Sequence, residues 1–136
     1  MSHYAILAII DENESVEEVL RPYGPDGEQK WDWHQIGGRW TGFFDDYDPD
    51  SDPAVMGLWP TQRPARAGDK IPIAALTEKH VEGAYAVVCS WGWYGGRDYQ
   101  PWAADDEKFV ERPKPPLAWL QRQFPSATAV IVDCHN

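Results

Sequence analysis

One combination of residues occurs twice in this chain of 136 amino acids. Residues 31–39 and 91–97 each contain Trp-x-Trp followed by Gly-Gly-Arg, and together they hold four of the eight Trp residues. Indole rings offer flat surfaces for stacking, and a Gly pair lets the backbone approach a ligand closely. A guanidinium group can bind carboxylate or phosphate through two parallel hydrogen bonds. The motif therefore predicts a site for a planar, anionic or polar small molecule.

The predicted ligand-binding residues are the aromatic, glycine and arginine positions of the two copies: Trp31, Trp33, Gly37, Gly38, Arg39, Trp40, Trp93 and Arg97. The same residue types also build a packed core with tight turns, in which each Arg pairs with a surface carboxylate. This structural interpretation stays open beside the ligand site, and the second copy favours it more than the first.

A compact group of reactive side chains lies near the C-terminus. In a strand, Asp133 and His135 point to one face and Cys134 to the other. An Asp–His pair can ligate a metal or hold a general base, and with His34 or His3 nearby it could form a phosphodiesterase-like site. No HExxH or CxxC motif is present, so we predict neither metal nor cofactor and lean away from an enzyme. If the chain is an enzyme, the predicted catalytic residues are His135, Asp133 and His34.

An acidic run occupies residues 45–52. Its aspartates alternate from Asp46 to Asp52, as the first ligands of a calcium loop do. However, Ser51 stands where that loop needs Gly, and Gly57 stands where it needs Glu. A solvated acidic loop is therefore the favoured interpretation.

The net charge of −10, from 12 basic and 22 acidic residues, argues against direct nucleic-acid binding. It allows a basic partner protein, and a local Arg pair can still reverse the field inside a pocket for a small phosphate. Two Cys residues make no disulfide scaffold. The first ten residues resemble neither a signal peptide nor a membrane span, so we predict a cytoplasmic protein.

Hydrophobic patterning outlines the elements that must position these residues. β-branched and alternating runs predict strands at 4–10, 31–36, 84–91 and 128–134, with a short edge strand at 71–76 and a tight connection at 92–96. Ser15 and Glu18 form a capping-box pattern that predicts a helix over 16–21, and a second helix is predicted over 117–124.

Strands and helices alternate in a way that predicts an α+β fold with one domain over residues 1–136. The expected architecture is a small, mostly antiparallel sheet with two helices on one face, and a ferredoxin-like arrangement is a candidate. Residues 45–68 show no periodicity, and so long an irregular segment is typical of a functional loop.

The segment from Lys30 to Trp40 resembles the KWDWYQIGGRW motif of a family of small proteins from bacteriophages and bacteria. That family also tends to carry Val-Asp-Cys-His, matched at 132–135, and Gly-Trp-aromatic-Gly, matched at 92–95. His34 stands where the family often has Tyr. The resemblance implies a context, a phage accessory protein acting against a host defence, and carries over no activity.

Together these observations predict a counter-defence protein that sequesters a small planar or phosphorylated ligand, such as a nucleotide messenger, in the host cytoplasm. One alternative is an acidic interaction protein that inhibits a basic host protein by nucleic-acid mimicry. Another is a small phosphodiesterase-like hydrolase that uses Asp133 and His135. The partner is thus a nucleotide-like molecule or a basic host protein, with neither nucleic acid nor membrane bound directly.

Overall fold

Three strongly apolar strands dictate the fold, because their side chains are buried on both faces. The computed structural model describes residues 3–99, 102 and 104–136. Its strands are β1 (His3–Ile10), β2 (Trp33–Ile36), β3 (Lys70–Pro72), β4 (Ala86–Cys89), β5 (Gly92–Gly95), β6 (Arg97–Tyr99), β7 (Phe109–Glu111) and β8 (Thr128–His135). Its α-helices are α1 (Val16–Leu20), α2 (Glu78–Gly83) and α3 (Leu117–Gln123). Short 3₁₀ turns lie at Arg21–Tyr23, Gly38–Trp40, Pro49–Ser51, Pro60–Gln62, Ala67–Asp69, Ile73–Ala75 and Asp105–Glu107.

The main sheet has the strand order β2-β8-β1-β4-β5, and β3 pairs with β8 beyond the end of β2. β1 runs antiparallel to β8 and parallel to β4, whereas the remaining pairs in this sheet are antiparallel. β6 and β7 form a separate two-stranded ribbon. The predicted α+β class and mostly antiparallel sheet are confirmed.

The helices cover both faces of the sheet, not one face as predicted. α2 and α3 pack with Leu7, Val87 and Ile131 on one face. α1 packs with Ile6 and Val88 on the other. The physical reason is that the central strands carry apolar side chains on both faces, and each face must be removed from water. The parallel β1–β4 pair and this second covered face also distinguish the fold from the ferredoxin-like candidate.

Local signals set several boundaries. The hydroxyl of Ser15 accepts a hydrogen bond from the Glu18 amide at 3.2 Å, so the capping box that predicts α1 is present. Residues 92–96, in contrast, are not simply a connection. The chain turns at residues 90 and 91, just before β5. β5 pairs with β4 because Trp93 is buried on the α1 face.

Short 3₁₀ turns and irregular backbone join β2 to β3. The buried carboxylate of Asp69 anchors this loop by accepting hydrogen bonds from the Thr41 hydroxyl at 2.8 Å and the Gly42 amide at 3.0 Å. Arg66 lies across the Tyr47 ring, 3.7 Å from its centroid, and pairs with Asp45 at 2.7 Å. The loop is therefore a braced structure. None of the helices in the described part of the chain has the length and apolar character that a membrane crossing requires.

Candidate functional site

The first Gly-Gly pair fits against two buried carboxylates. Gly37 and Gly38 are buried with φ of 76° and 55°, in the left-handed region that favours glycine. A Cβ on Gly38 would lie 2.5 Å from Oδ2 of Asp133, and a Cβ on Gly37 would collide with Asp69. These glycines therefore let the backbone close around two aspartates, and they are not among the residues that line the cleft described below.

Asp133 is fully buried and holds two partners. Its Oδ2 accepts a hydrogen bond from the Arg39 backbone amide at 3.0 Å, and its Oδ1 lies 2.8 Å from Nδ1 of His3. A carboxylate at Nδ1 fixes the tautomer in which Nδ1 carries the proton, which leaves Nε2 as the free acceptor. The sequence motif around Arg39 thus orients the His3 imidazole through Asp133.

A second histidine–carboxylate pair lies beside the first. Nδ1 of His135 is 2.7 Å from Oδ1 of Asp32. The rings of His3 and His135 meet edge to face with centroids 4.8 Å apart, and His3 also meets Trp33 edge to face at 6.3 Å. The register explains this row, because His135 on β8 is opposite His3 on β1 and Trp33 on β2. Antiparallel pairing therefore brings together residues from both ends of the chain.

A cleft of about 350 Å³ opens at this end of the sheet. Cationic, aromatic and polar side chains line it: His3, Tyr4, Lys30, Tyr85, Trp93, Arg97 and Asn136. Its volume lies within the range of small-molecule sites. His3 lines this cleft and also contacts the ring of His135.

Two cations contribute to the cleft wall. Nζ of Lys30 lies 5.7 Å from the centroid of the Trp93 ring, within cation–π distance. The Arg97 side chain is 59 % exposed, with Nε 3.9 Å from Oε1 of Glu111, and its backbone amide donates to the Tyr85 hydroxyl at 3.1 Å. Gly96, with φ of 75°, allows this close approach, because a Cβ there would lie 2.6 Å from the Tyr85 ring. The second Gly-Gly-Arg copy therefore delivers a cation to the cleft.

The hydroxyl of Tyr4 is buried and has no hydrogen-bond partner within the described residues. Burial raises the pKa of Tyr4, and electrostatic interaction with Cys134, Tyr85 and Asp32 acts in the same direction. The hydroxyl is therefore a neutral donor. An unsatisfied buried donor is costly, so an acceptor supplied by a ligand would be stabilising here.

The structure divides the predicted ligand-binding residues into two groups. Trp93 and Arg97 line the cleft. Trp31, Trp33, Gly37, Gly38, Arg39 and Trp40 do not line it. Trp31 and Trp40 pack against the two cores, and the indole of Trp31 donates to the Leu20 carbonyl at 3.0 Å. The exposed Arg39 side chain lies outside the cleft, and the backbone amide of this residue donates a hydrogen bond to Asp133.

His34 lies apart from Asp133 and His135. In the β2–β8 register it is opposite Cys134, and its ring meets Trp31 edge to face at 4.7 Å. Burial lowers the pKa of His34, against a smaller opposing effect of Glu17. The predicted catalytic set is therefore not assembled as one cluster. His3 occupies the place beside Asp133 and His135.

The remaining candidates have structural roles. In the acidic run, the Tyr47 hydroxyl donates to Asp52 at 2.5 Å, and the Arg66 hydrogen bond holds the pKa of Asp45 below its usual range. No group of three or more metal-binding side chains occurs in the part of the chain that the structure describes. Burial raises the pKa of the Cys134 thiol to about 12, so it is not poised as a nucleophile.

Sequence reasoning missed Tyr4, Lys30, Tyr85 and Asn136, and it named His3 only as an alternative to His34 beside Asp133 and His135. One signal was available, since Lys30 directly precedes the first Trp-x-Trp. For the others the decisive fact is the pairing of β1 with β8 on one side and with β4 on the other, which no local pattern encodes. No protein-family model, curated protein or solved structure matches this chain, so the geometry alone carries the functional argument.

Proposed function

We propose that the cleft binds a small phosphorylated molecule with a planar ring, namely a nucleotide. The observation that carries the proposal is the lining itself. One cleft is lined by the cations Lys30 and Arg97 and by the rings of Tyr85 and Trp93. Tyr4 also lines it, and its buried hydroxyl has no hydrogen-bond partner within the described residues. Such a lining suits an anion attached to an aromatic ring system.

The energetics favour this class of ligand. Charge-assisted hydrogen bonds from Lys30 and Arg97 to phosphate oxygens are roughly twice as strong as neutral ones. A base stacked on the exposed ring of Tyr85 would add about 1–3 kcal/mol, as aromatic platforms do in nucleic-acid sites. The charge of −10 disfavours a long polyanion, whereas a small ligand senses mainly the two local cations.

The resemblance to phage proteins gives this binding a purpose. A protein that removes a nucleotide messenger from the host cytoplasm would blunt a defence that depends on that messenger. Under this proposal the ligand is captured at the sheet end, and the three segments that carry the resemblance all contribute there. Lys30 and Asp32 come from the first segment, Trp93 from the second, and Asp133 and His135 from the third.

Calorimetric titration with mononucleotides, cyclic mononucleotides and cyclic dinucleotides tests the proposal. We expect Tyr4→Phe to have two effects of opposite sign. The free protein should become more stable, because an unsatisfied buried hydroxyl is removed, while affinity should fall about tenfold through loss of a hydrogen bond to a charged group. Lys30→Met should weaken binding further.

Arg39→Gln is the matched control, because its exposed side chain lies outside the cleft and only its backbone amide is used. It should bind like the unchanged protein. Absence of binding by the unchanged protein to every nucleotide at millimolar concentration would exclude the proposal.

A second candidate function, the acidic interaction protein, is favoured by exposed side chains of the braced loop. Met56, Leu58 and Trp59 are 55 %, 38 % and 74 % exposed and follow the aspartates of residues 45–52 in the sequence. Exposed apolar side chains in an acidic loop suit a basic partner with an apolar pocket.

The salt dependence of partner binding distinguishes this second function from nucleotide binding, since exposed charges are screened over about 8–10 Å at physiological ionic strength. Replacing Asp46, Asp48 and Asp50 by Asn should slow association with such a partner more than it speeds dissociation. Association rates indifferent to salt and to these substitutions would argue against it.

A further inference from the structure

The paired histidines at the cleft suggest what happens to a bound ligand. We infer that His3, held by Asp133, acts as the general base in the hydrolysis of a phosphodiester bond of the ligand. This inference rests on the nucleotide-binding function proposed above. The substrate class is a nucleotide with a phosphodiester linkage, such as a cyclic mononucleotide or a cyclic dinucleotide.

The geometry of His3 is that of an oriented base. Nδ1 is engaged by a fully buried carboxylate at 2.8 Å, and that carboxylate is fixed from its other oxygen by the Arg39 amide. A base held by a third group is the arrangement that catalytic dyads and triads share. Since Nδ1 is occupied and His3 lines the cleft, Nε2 is the atom available to a water molecule beside the substrate.

His135 and Asp32 form the positioning pair. The side chain of Asp32 is 57 % exposed, so burial alone does not require its 2.7 Å contact with His135. With the His135 ring 4.8 Å from that of His3, edge to face, the pair restricts rotation of the His3 imidazole. We therefore assign His135 a role through His3, because it is not among the side chains that line the cleft.

The remaining cleft residues match the needs of the reaction. Lys30 and Arg97 can neutralise the non-bridging phosphate oxygens, whose charge grows in the transition state. The neutral Tyr4 hydroxyl can donate a hydrogen bond to one of them. A phosphate group held by these residues would lie in the cleft that His3 also lines.

The step is a hydrolysis with water as the nucleophile. The water oxygen forms a bond to phosphorus while Nε2 of His3 takes one water proton, and the bond between phosphorus and the ester oxygen of the ribose breaks. The departing ribose oxygen, in line with the attacking water on the far side of phosphorus, takes a proton from solvent, and the imidazolium releases its proton to solvent. The products are a phosphomonoester and a free ribose hydroxyl, and His3 ends in its starting form.

The test measures binding and turnover separately, with cyclic mononucleotides and cyclic dinucleotides as probes. Calorimetry gives affinity, and chromatography of the denatured mixture gives intact ligand and product. We expect the protein to convert at least one probe that it binds. His3→Asn should lower turnover about 100-fold or more with affinity within a few fold, because its amide can still donate to Asp133.

Two further variants complete the test. His135→Asn should lower kcat about tenfold and leave KM nearly unchanged, as expected of a positioning residue. His34→Asn, on the other face of the sheet, should keep full activity. Binding without conversion would overturn this inference and leave the binding function standing. Turnover by His3→Asn equal to that of the unchanged protein would have the same consequence. Absence of binding would overturn the binding function and this inference with it.

Discussion

At the scale of single residues, Gly38 shows how a missing Cβ organises the site. Its absence lets Asp133 reach the Arg39 amide on one side and His3 on the other. The Gly-Gly-Arg motif suggested a ligand clamp, but its first copy acts through backbone geometry. Residue type alone does not distinguish these two uses, since both need glycine beside a hydrogen-bond donor.

Gly38→Ala should destabilise the protein by about 2 kcal/mol more than Gly57→Ala, the cost typical of forcing extra atoms into packed surroundings. Both glycines have positive φ, 55° and 85°, but a Cβ on Gly57 would meet nothing within 4 Å. The comparison therefore cancels backbone strain and isolates the collision with Asp133. Urea denaturation of the two variants measures the difference, and equal losses would contradict the proposed packing.

His34 gives a residue-scale prediction for pH. Burial lowers its folded pKa below the ordinary value of 6.5, so the unfolded chain binds the proton more readily. Stability that depends on neutral His34 is present above the unfolded pKa and declines as the pH falls through 6.5 toward the lower folded pKa. Denaturation at pH 8 and pH 5.5 should show a smaller acid loss for His34→Gln than for the unchanged protein. The pKa of His80 is lowered by burial too, and this contribution is common to both proteins.

At the scale of elements, a distant lysine closes α2. Nζ of Lys114 donates hydrogen bonds to three carbonyls at the end of this helix: Val81 at 2.6 Å, Glu82 at 3.0 Å and Ala84 at 2.6 Å. Burial lowers the pKa of Lys114, with a smaller opposing effect of Glu82. The end of the helix thus depends on a residue about thirty positions away, which sequence signals for helix ends do not report.

Lys114→Met should therefore lower the free energy of unfolding by about 1–3 kcal/mol, since a cation that satisfies several carbonyls is removed while the stem is kept. Lys108→Met is the matched control. Its ammonium pairs at 2.9 Å with Asp105, whose side chain is 98 % exposed, and exposed pairs contribute about 0–1 kcal/mol. Chemical denaturation of both variants measures the contrast, and similar losses would show that Lys114 does not cap α2.

At the scale of the whole molecule, two apolar cores on opposite faces share the same central strands. Cys89 belongs to the core covered by α2 and α3, and Cys134 belongs to the core covered by α1. Both thiols are free and buried. Since β1 and β4 contribute to both cores, the two faces should unfold together.

Thiol labelling tests this cooperativity. Burial raises the pKa of both thiols, so neither should react with a disulfide reagent in the native protein. Under increasing urea both should label with one rate constant that follows global unfolding, as in a two-state transition. Mass spectrometry counts the labels, and early labelling of one cysteine would reveal separate opening of its face.

The sequence by itself determined the α+β class, the central strands and α1, because continuous apolar runs and a capping box are local patterns. Helix α2 and strand β5 were missed, since a short capped turn and a glycine-rich strand resemble loops in isolation.

Only the tertiary structure decided the cleft. Its residues come from the start of β1, the segment before β2, the residue before β4, strand β5, the start of β6 and the end of the chain. The antiparallel register of β1 with β8 places His3 opposite His135, and the closure of Gly38 on Asp133 fixes the imidazole. Pairing between distant strands creates such a site because it is chosen by burial of the whole sheet, not by any one segment's own preference.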